Sequence, residues 1–354
     1  MCSSDLSPLW DPLAWRRVFQ KINIISKHYP YDVVVLEMAD DELEDMSELL
    51  KSVKPDIGVL TAVAPVHMER MISMDRVVRD NWKIASAAKQ VVYNADFAEL
   101  RNLAKKSKKA QGYGLRHGLI KFQSVSRNKD GYIKATLCMP EGKYDITTKM
   151  IGEQSLGSLL AAATVAHKLG MDDKSIVRGL AKIEGVNGRM KLLKAVNGAR
   201  LIDDSYNASP EAVKAALKVA SELKANRRIV VLGNMNELGA DSKDLHYEVG
   251  QAAAKVADML VVLGKDAEIH MVAGAKAGGL KPDDIKIFKT PYEIGHFLKR
   301  IIKKGDLVLI KGSQNRVFLE EASRVLLDPS LDPKHCLVRQ SSFWKKRKRK
   351  SFGL

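Results

Sequence analysis

The chain has 354 residues, 45% of them apolar and 28% charged, which gives room for two domains with separate cores and excludes a disordered or fibrous polymer. No run of 18 apolar residues exists and the N-terminus has no apolar signal core, so neither a membrane span nor a secretory leader is expected. The three cysteines, Cys2, Cys138 and Cys336, lack metal-ligand spacing, which argues against a zinc module or disulfide framework and predicts a cytoplasmic protein. The net charge of +16 is concentrated at the end of the chain, where Arg339 and the run Lys345 to Lys350 supply seven cations. Such a run predicts a solvated, frayed tail, or else a grip on RNA, DNA or an anionic membrane. No zinc-finger spacing or RNA-binding aromatic signature marks a specific nucleic-acid partner.

"VVVLE" at 33–37, "DIGVLTAV" at 56–63 and "QVVYNAD" at 90–96 read as β-branched strands. Between them "ELEDMSELLKSV" and "MDRVVRDNWKIASAA" have helical period, so a parallel sheet with right-handed crossovers is predicted. Residues 112–150 differ, with turn signals at Lys129-Asp130-Gly131 and Glu141-Gly142 between β-rich pieces, and predict a small antiparallel appendage. A small-residue helix follows at 155–170, closed by Gly170, and then "KSIVRGLAKI". A second alternation starts near 198. "ARLIDD", "RRIVVLGN", "DMLVVLG", "DIKIF" and "DLVLIKG" read as strands, and "PEAVKAALKVASEL" as a helix with Pro210 in its first turn. The fold class is therefore α/β, with two open, mostly parallel sheets.

Ligands of parallel sheets sit beyond the carboxyl ends of the strands. Glu37, His67, Asp203 and Asp204, Asn234 and Glu237, and Lys311, Gly312 and Ser313 all end or follow predicted strands. Their recurrence across two sheets predicts a ligand cleft between domains.

"DDSYNASPEAVKAAL", "VVLGNMNELGADSKDLHYEVG" and "GDLVLIKGS" resemble the C-terminal domain of the Mur ligase family, most like the branch that joins D-alanyl-D-alanine to a UDP-muramyl peptide. "GVNGRM" at 185–190 resembles that family's interdomain hinge, and "YDVVVLEM", "KPDIGVLTAVAPVHMER" and "VVYNAD" resemble its central ATPase domain. The resemblance implies four segments: a truncated lead-in at 1–29, a partial central domain at 30–191, a C-terminal domain at 192–332 and a basic tail at 333–354. It implies ATP and Mg²⁺ as cofactors, and UDP-MurNAc-peptide and D-Ala-D-Ala as substrates of a monomeric amide-bond ligase working through an acyl phosphate. By the same resemblance Glu37 and His67 are catalytic and hold magnesium, and Arg189, Asp204, Tyr206 and Asn207 bind the nucleotide. Lys311 and Ser313 face the dipeptide. From the residues alone, Asp203 reads as a cap or structural neighbour, His246 as a helix residue bonding locally, and the "GNMNELG" turn as serving either turn geometry or ligand contact.

The sequence also departs from the family's pattern. No G-x-x-G-K-[ST] phosphate loop occurs in these 354 residues, and its backbone amides and lysine would supply much of the triphosphate affinity. Asn81 stands where most branches have a carbamate-bearing lysine, and Lys83 lies about 200° away around the helix. Ala62, Gln154 and Ser155 replace the usual asparagine and His-Asn pair. "CSSDL" at 2–6 back-translates into sequencing-adapter sequence, so residues 1–6 are expected to be an assembly artefact, with a naturally shortened paralogue as the competitor. Two rival functions stay open: another ligase of the superfamily, of folylpolyglutamate or cyanophycin type, and a non-catalytic binding protein that docks through its tail on RNA or membrane.

Overall fold

The computed structural model describes residues 31–38, 45–63, 74–314 and 316–353. They fall into two compact units, one of residues up to Pro55 with those between Ala64 and Ala87, the other of Asp56–Val63 with everything from Ala88 onward. In the first unit α1 (Asp45–Ser52) packs on α2 (Met74–Ala87). The expected strand at 33–37 does not form. The segment is exposed, Val35 to 92%, and is paired with no strand among the described residues; a β-branched run forms a strand only when its backbone groups find such a partner.

In the second unit β1 (Ile57–Leu60), β2 (Gln90–Asn94) and β3 (Ala110–Tyr113) form a parallel sheet, with α3 (Ala98–Ala104) bridging the last two. Here the sequence reading is corrected, because residues 112 and 113 belong to β3 and not to the antiparallel appendage. "AQGY" is a poor strand former by composition, and pairing with β2 overrides that. The appendage itself is present as β4 (Lys121–Arg127), β5 (Ile133–Met139) and β6 (Gly142–Thr147). The two open sheets expected are thus three. The antiparallel one shares a core with the parallel one, through Val92, Tyr113, Ile133, Leu137, Leu156 and Leu160. Leu156 and Leu160 come from α4 (Gln154–Lys168). That helix ends as expected at Gly170, whose φ of +82° lets its N–H reach His167 O while Met171 N–H reaches Ala166 O. It is followed by α5 (Asp173–Lys182), capped by Asp172.

The largest sheet holds β7 (Lys191–Lys194), β8 (Arg200–Asp204), β9 (Arg227–Gly233), β10 (Met259–Leu263), β11 (Ile285–Phe288) and β12 (Asp306–Lys311). Its order is β11-β10-β9-β12-β8-β7, parallel except for β7. The strands are near-continuous apolar runs because helices cover both faces. On one face lie α6 (Pro210–Glu222), α7 (Ser242–Ala254) and α8 (Val272–Ala277), and on the other α9 (Pro291–Ile301) and α10 (Glu320–Leu326).

The basic tail is not frayed. After the short α11 (Pro333–Cys336), the run of cations forms α12 (Ser342–Phe352), capped by Ser341. Trp344 and Lys348, four residues apart on one helix face, are both buried. Trp344 and Phe352 set their rings edge-on to Phe318 at 6.3 and 6.2 Å. Lys348 Nζ pairs with Glu320 at 2.8 Å and Glu321 at 2.7 Å, while Lys345, Lys346, Arg347, Arg349 and Lys350 face solvent. Replacing Lys348 by Met should therefore cost about 3 kcal/mol, at the low end for a broken buried pair because Arg339 and Arg324 still serve the two glutamates. Replacing Lys346 by Gln should stay within about 0.5 kcal/mol. Urea unfolding of the two variants checks both.

Candidate functional site

The site is set by strand register. Asp203 and Asp204 end β8, and in the parallel pairing Lys311 of β12 stands opposite Asp204. The two side chains are buried and meet at 2.7 Å. Lys311 Nζ also donates to Asn207 O at 2.9 Å, and Asp204 Oδ1 accepts from Met190 N at 3.1 Å. Burial pushes the Asp204 carboxyl up, and the Lys311 ammonium, the Met190 amide and Arg189 offset only part of that.

Strand alternation turns Asp203 to the other face, where it is fully buried and accepts from Ser323 Oγ at 2.8 Å. Burial pushes its carboxyl up to about 6 against the opposing pull of the Ser205 and Ser323 hydroxyls, with Glu320 and Asp204 raising it further. The folded state thus holds this proton more tightly than the unfolded chain, whose aspartate titrates near 3.9. Stability from this group is full below about 4 and declines as pH rises to about 6. Asp203→Asn should gain on the wild type across that window and hold a constant margin above it, as read by thermal unfolding at stepped pH.

The loop after β8 is joined to the segment before β7. Tyr206 N–H donates to Gly188 O at 3.0 Å, and the Arg189 guanidinium lies 4.2 Å from the Tyr206 ring centroid. Gly188 has φ +70°, and a Cβ there would meet Val338, so glycine is needed. Ser313 is buried. Its hydroxyl donates to Ala208 O at 3.3 Å and accepts from Asn236 N at 2.9 Å. The fold thus gathers Arg189, Asp204, Tyr206, Asn207, Lys311 and Ser313 at the carboxyl ends of β8 and β12. Glu37 lies in the first unit, exposed in its unpaired segment. His67 falls outside the described residues. Asn81, on α2, donates to Val77 O at 3.0 Å.

The "GNMNELG" turn is shaped by Glu237 at φ +65° and Gly239 at +57°. Asn234 Oδ1 accepts from Ala267 N at 2.9 Å. His246, buried on α7, accepts Met235 N–H on Nε2 at 3.0 Å and has Ser242 O 2.8 Å from Nδ1, so the neutral ring with its proton on Nδ1 fits both. Burial pushes its pKa down accordingly. Beside this turn, at the ends of β9, β10 and β11, lies a cavity of about 590 Å³ whose walls include Asn234, Asn236, Lys265, Glu268, Lys289 and Arg316. Lys311 and Ser313 are not among its walls. The sequence reading passed over Lys265 and Lys289, although both follow strands and the strand-end rule would have found them. It also passed over Arg339, hidden in the basic tail. That side chain is buried, pairs with Glu320 at 2.8 Å and reaches the loop after β8.

An aromatic ring under a guanidinium, next to a carboxylate, suits the nucleoside end of ATP. Among the described residues no group of three or more His, Cys, Asp or Glu gathers to hold a metal, and of the two residues expected to hold magnesium Glu37 is described and His67 is not. Nor is any helix among them long and apolar enough to cross a membrane. Cys138 and Cys336 are buried free thiols.

Comparison with known proteins agrees with this layout. A model of the Mur ligase middle domain matches residues 23–166, and a model of the Mur ligase, glutamate ligase domain matches residues 188–314. The UDP-N-acetylmuramoyl-tripeptide–D-alanyl-D-alanine ligase of Bacillus subtilis (strain 168) is 26% identical over 309 residues, covering 85% of this chain and 65% of that protein. The Escherichia coli (strain K12) protein of the same name is 27% identical over 304 residues, covering 84% and 65%. The chain therefore spans 65% of the length of these curated relatives. The crystal structure of MurF ligase from Thermotoga maritima in complex with ADP superposes with a TM-score of 0.69 at 26% identity, over 82% of this chain and 66% of that one. Folylpolyglutamate synthase from Thermotoga maritima shares the fold at a TM-score of 0.59 and 15% identity, over 84% of this chain and 72% of that one. With the two domain models matched in succession and relatives aligned across most of its length, the chain belongs to the Mur ligase family.

Proposed function

We propose that this chain carries the nucleoside-binding and amine-accepting parts of an ATP-dependent ligase of peptidoglycan precursor synthesis, one that joins D-Ala-D-Ala to a UDP-MurNAc-peptide. The observation that carries the reading is the convergence of Arg189, Asp204, Tyr206 and Asn207, braced by Lys311, at the ends of β8 and β12. In this reading residues 30–191 act as a partial central domain and 192–332 as the C-terminal domain, with Glu37 and His67 on the metal and phosphate side.

In the reaction, a peptide carboxylate oxygen attacks the γ-phosphorus of ATP and ADP leaves. The dipeptide ammonium gives a proton to solvent, the free amine adds to the acyl carbon, and phosphate departs with the former carboxylate oxygen as the nitrogen loses a second proton to solvent. The part of these residues is positioning. Tyr206 under Arg189 offers a stacking face for adenine, and Asp204 an acceptor for ribose hydroxyls. The cavity beside "GNMNELG" suits a zwitterionic dipeptide, with Lys265, Lys289 and Arg316 for its carboxylate and Glu268 for its ammonium. Lys311 and Ser313 serve that side through the loops they hold, since Ser313 bonds the amide of the cavity residue Asn236.

Without a Gly-Lys-Thr loop in this sequence, triphosphate affinity should be low and the chain alone should not turn over. Titration with ADP and with D-Ala-D-Ala tests the reading. ADP binding that weakens about tenfold or more in Arg189→Ala is expected, the order of one lost charge-assisted contact. An ADP isotherm indifferent to Arg189 and Tyr206 substitutions would remove the nucleotide reading.

A further inference from the structure

The C-terminal strap reaches the loop after β8 through Arg339. Arg339 lies beyond the residues matched by either family model, on a stretch between α11 and α12. Its Nε and Nη2 donate to Glu320 Oε1 and Oε2, both at 2.8 Å, in a buried two-bonded fork. Nη2 also donates to Ser205 O at 2.8 Å, and Nη1 to Tyr206 O at 3.1 Å. Asn207 O, the next carbonyl, is held by Lys311 Nζ at 2.9 Å. Three successive carbonyls of an irregular loop are thus each held by a buried cation. The Arg339 guanidinium also lies 5.7 Å from the Tyr206 ring centroid, and that of Arg189 4.2 Å.

The strap is itself over-determined. Arg339 has φ +54°, a left-handed conformation that a non-glycine residue keeps only where its surroundings enforce it. Its own carbonyl accepts from Lys348 Nζ at 2.8 Å, and Leu337 O accepts from Asn187 Nδ2 at 3.4 Å. Val338 fills the space that a side chain at Gly188 would need. The strap therefore spans both the Gly188–Arg189 segment and the loop after β8.

We propose that Arg339 is a positioning residue for the nucleotide site. Anchored on Glu320, it holds the Ser205 and Tyr206 carbonyls and so fixes the Tyr206 ring against Arg189 before any ligand arrives. Its purpose in nucleotide binding rests on the function proposed above, while the ordering of the loop does not. Pre-ordering matters because a loop that must be ordered at each binding event lowers affinity by the entropy of ordering.

The test uses the full chain and two double variants. Arg339→Gln with Glu320→Gln removes the fork without stranding its carboxylate. Phe352→Ala with Tyr292→Ala loosens the end of α12 but removes none of the hydrogen bonds of Arg339, Glu320 or the loop. Hydrogen–deuterium exchange over residues 205–209 and ADP affinity are read for each. The fork variant should raise exchange in the loop and weaken ADP, each about tenfold or more, the order of one buried charge-assisted bond. The α12 variant should change both by less than about twofold, even if both variants melt at a similar temperature. Equal loop exchange in the two variants would make Arg339 a structural residue only and overturn the proposal. If the wild type binds no ADP while the loop exchange still separates the variants, the positioning stands and the nucleotide reading falls.

Discussion

Lys311→Met is expected to destabilise the chain by about 3–5 kcal/mol, because it leaves the buried Asp204 carboxylate without its cation and the Asn207 carbonyl without its donor. The loss should shrink as pH falls. Burial already raises the Asp204 pKa, and without Lys311 the group takes a proton more readily still, which relieves the unpaired charge. Pairing the change with Asp204→Asn should recover part of the loss, with a coupling energy above about 1 kcal/mol in a double-mutant cycle. A near-additive cycle would mean that the pair is incidental to the loop. The same variants should lose ADP binding, since both residues frame the Tyr206 loop.

Gly274→Val should have a comparable effect for a different reason. Helices α7 and α8 cross so closely that a Cβ on Gly274 would collide with the Tyr247 carbonyl, and one on Gly250 with the Met271 carbonyl. Backbone on both sides leaves no flexible side chain to yield, so about 3 kcal/mol or more of overpacking is expected. The displaced helix would be α7, which carries His246, the acceptor that holds Met235 beside the cavity. Gly179→Ala on α5 is the matched control. It has open space around it and no positive φ, so it should be neutral or stabilise by up to about 1 kcal/mol. Thermal unfolding of the two variants separates the two situations, and equal melting temperatures would contradict the close crossing.

Much of the C-terminal sheet was legible because its strands are long apolar runs with capped helices between them, as at Ser209-Pro210. Local signals of that kind survive any tertiary arrangement. The candidate site residues of "DDSYNA" and "GVNGRM" were read by resemblance, and the antiparallel register of β7 with β8 brings the two segments together. What was missed depends on partners far along the chain. Val33 to Leu36 have strand composition but no described neighbour to pair with, and β3 has a neighbour but weak composition. Lys348 reads as one more cation of a run until Glu320 and Glu321 lie opposite it, and only then is it a core residue. Arg339 was hidden for the same reason, since its acceptor carbonyls carry no sequence signal at all.

The hydrogen bond from Arg339 to the Ser205 carbonyl spans 134 residues of sequence. During synthesis β8 and its two aspartates emerge long before the residue that sets the loop beyond them, and domains assemble as they appear. The loop after β8 is thus fixed only once residue 339 has been made. A product stalled or clipped before Arg339 would keep its sheets and most of its core, yet carry a loose loop after β8.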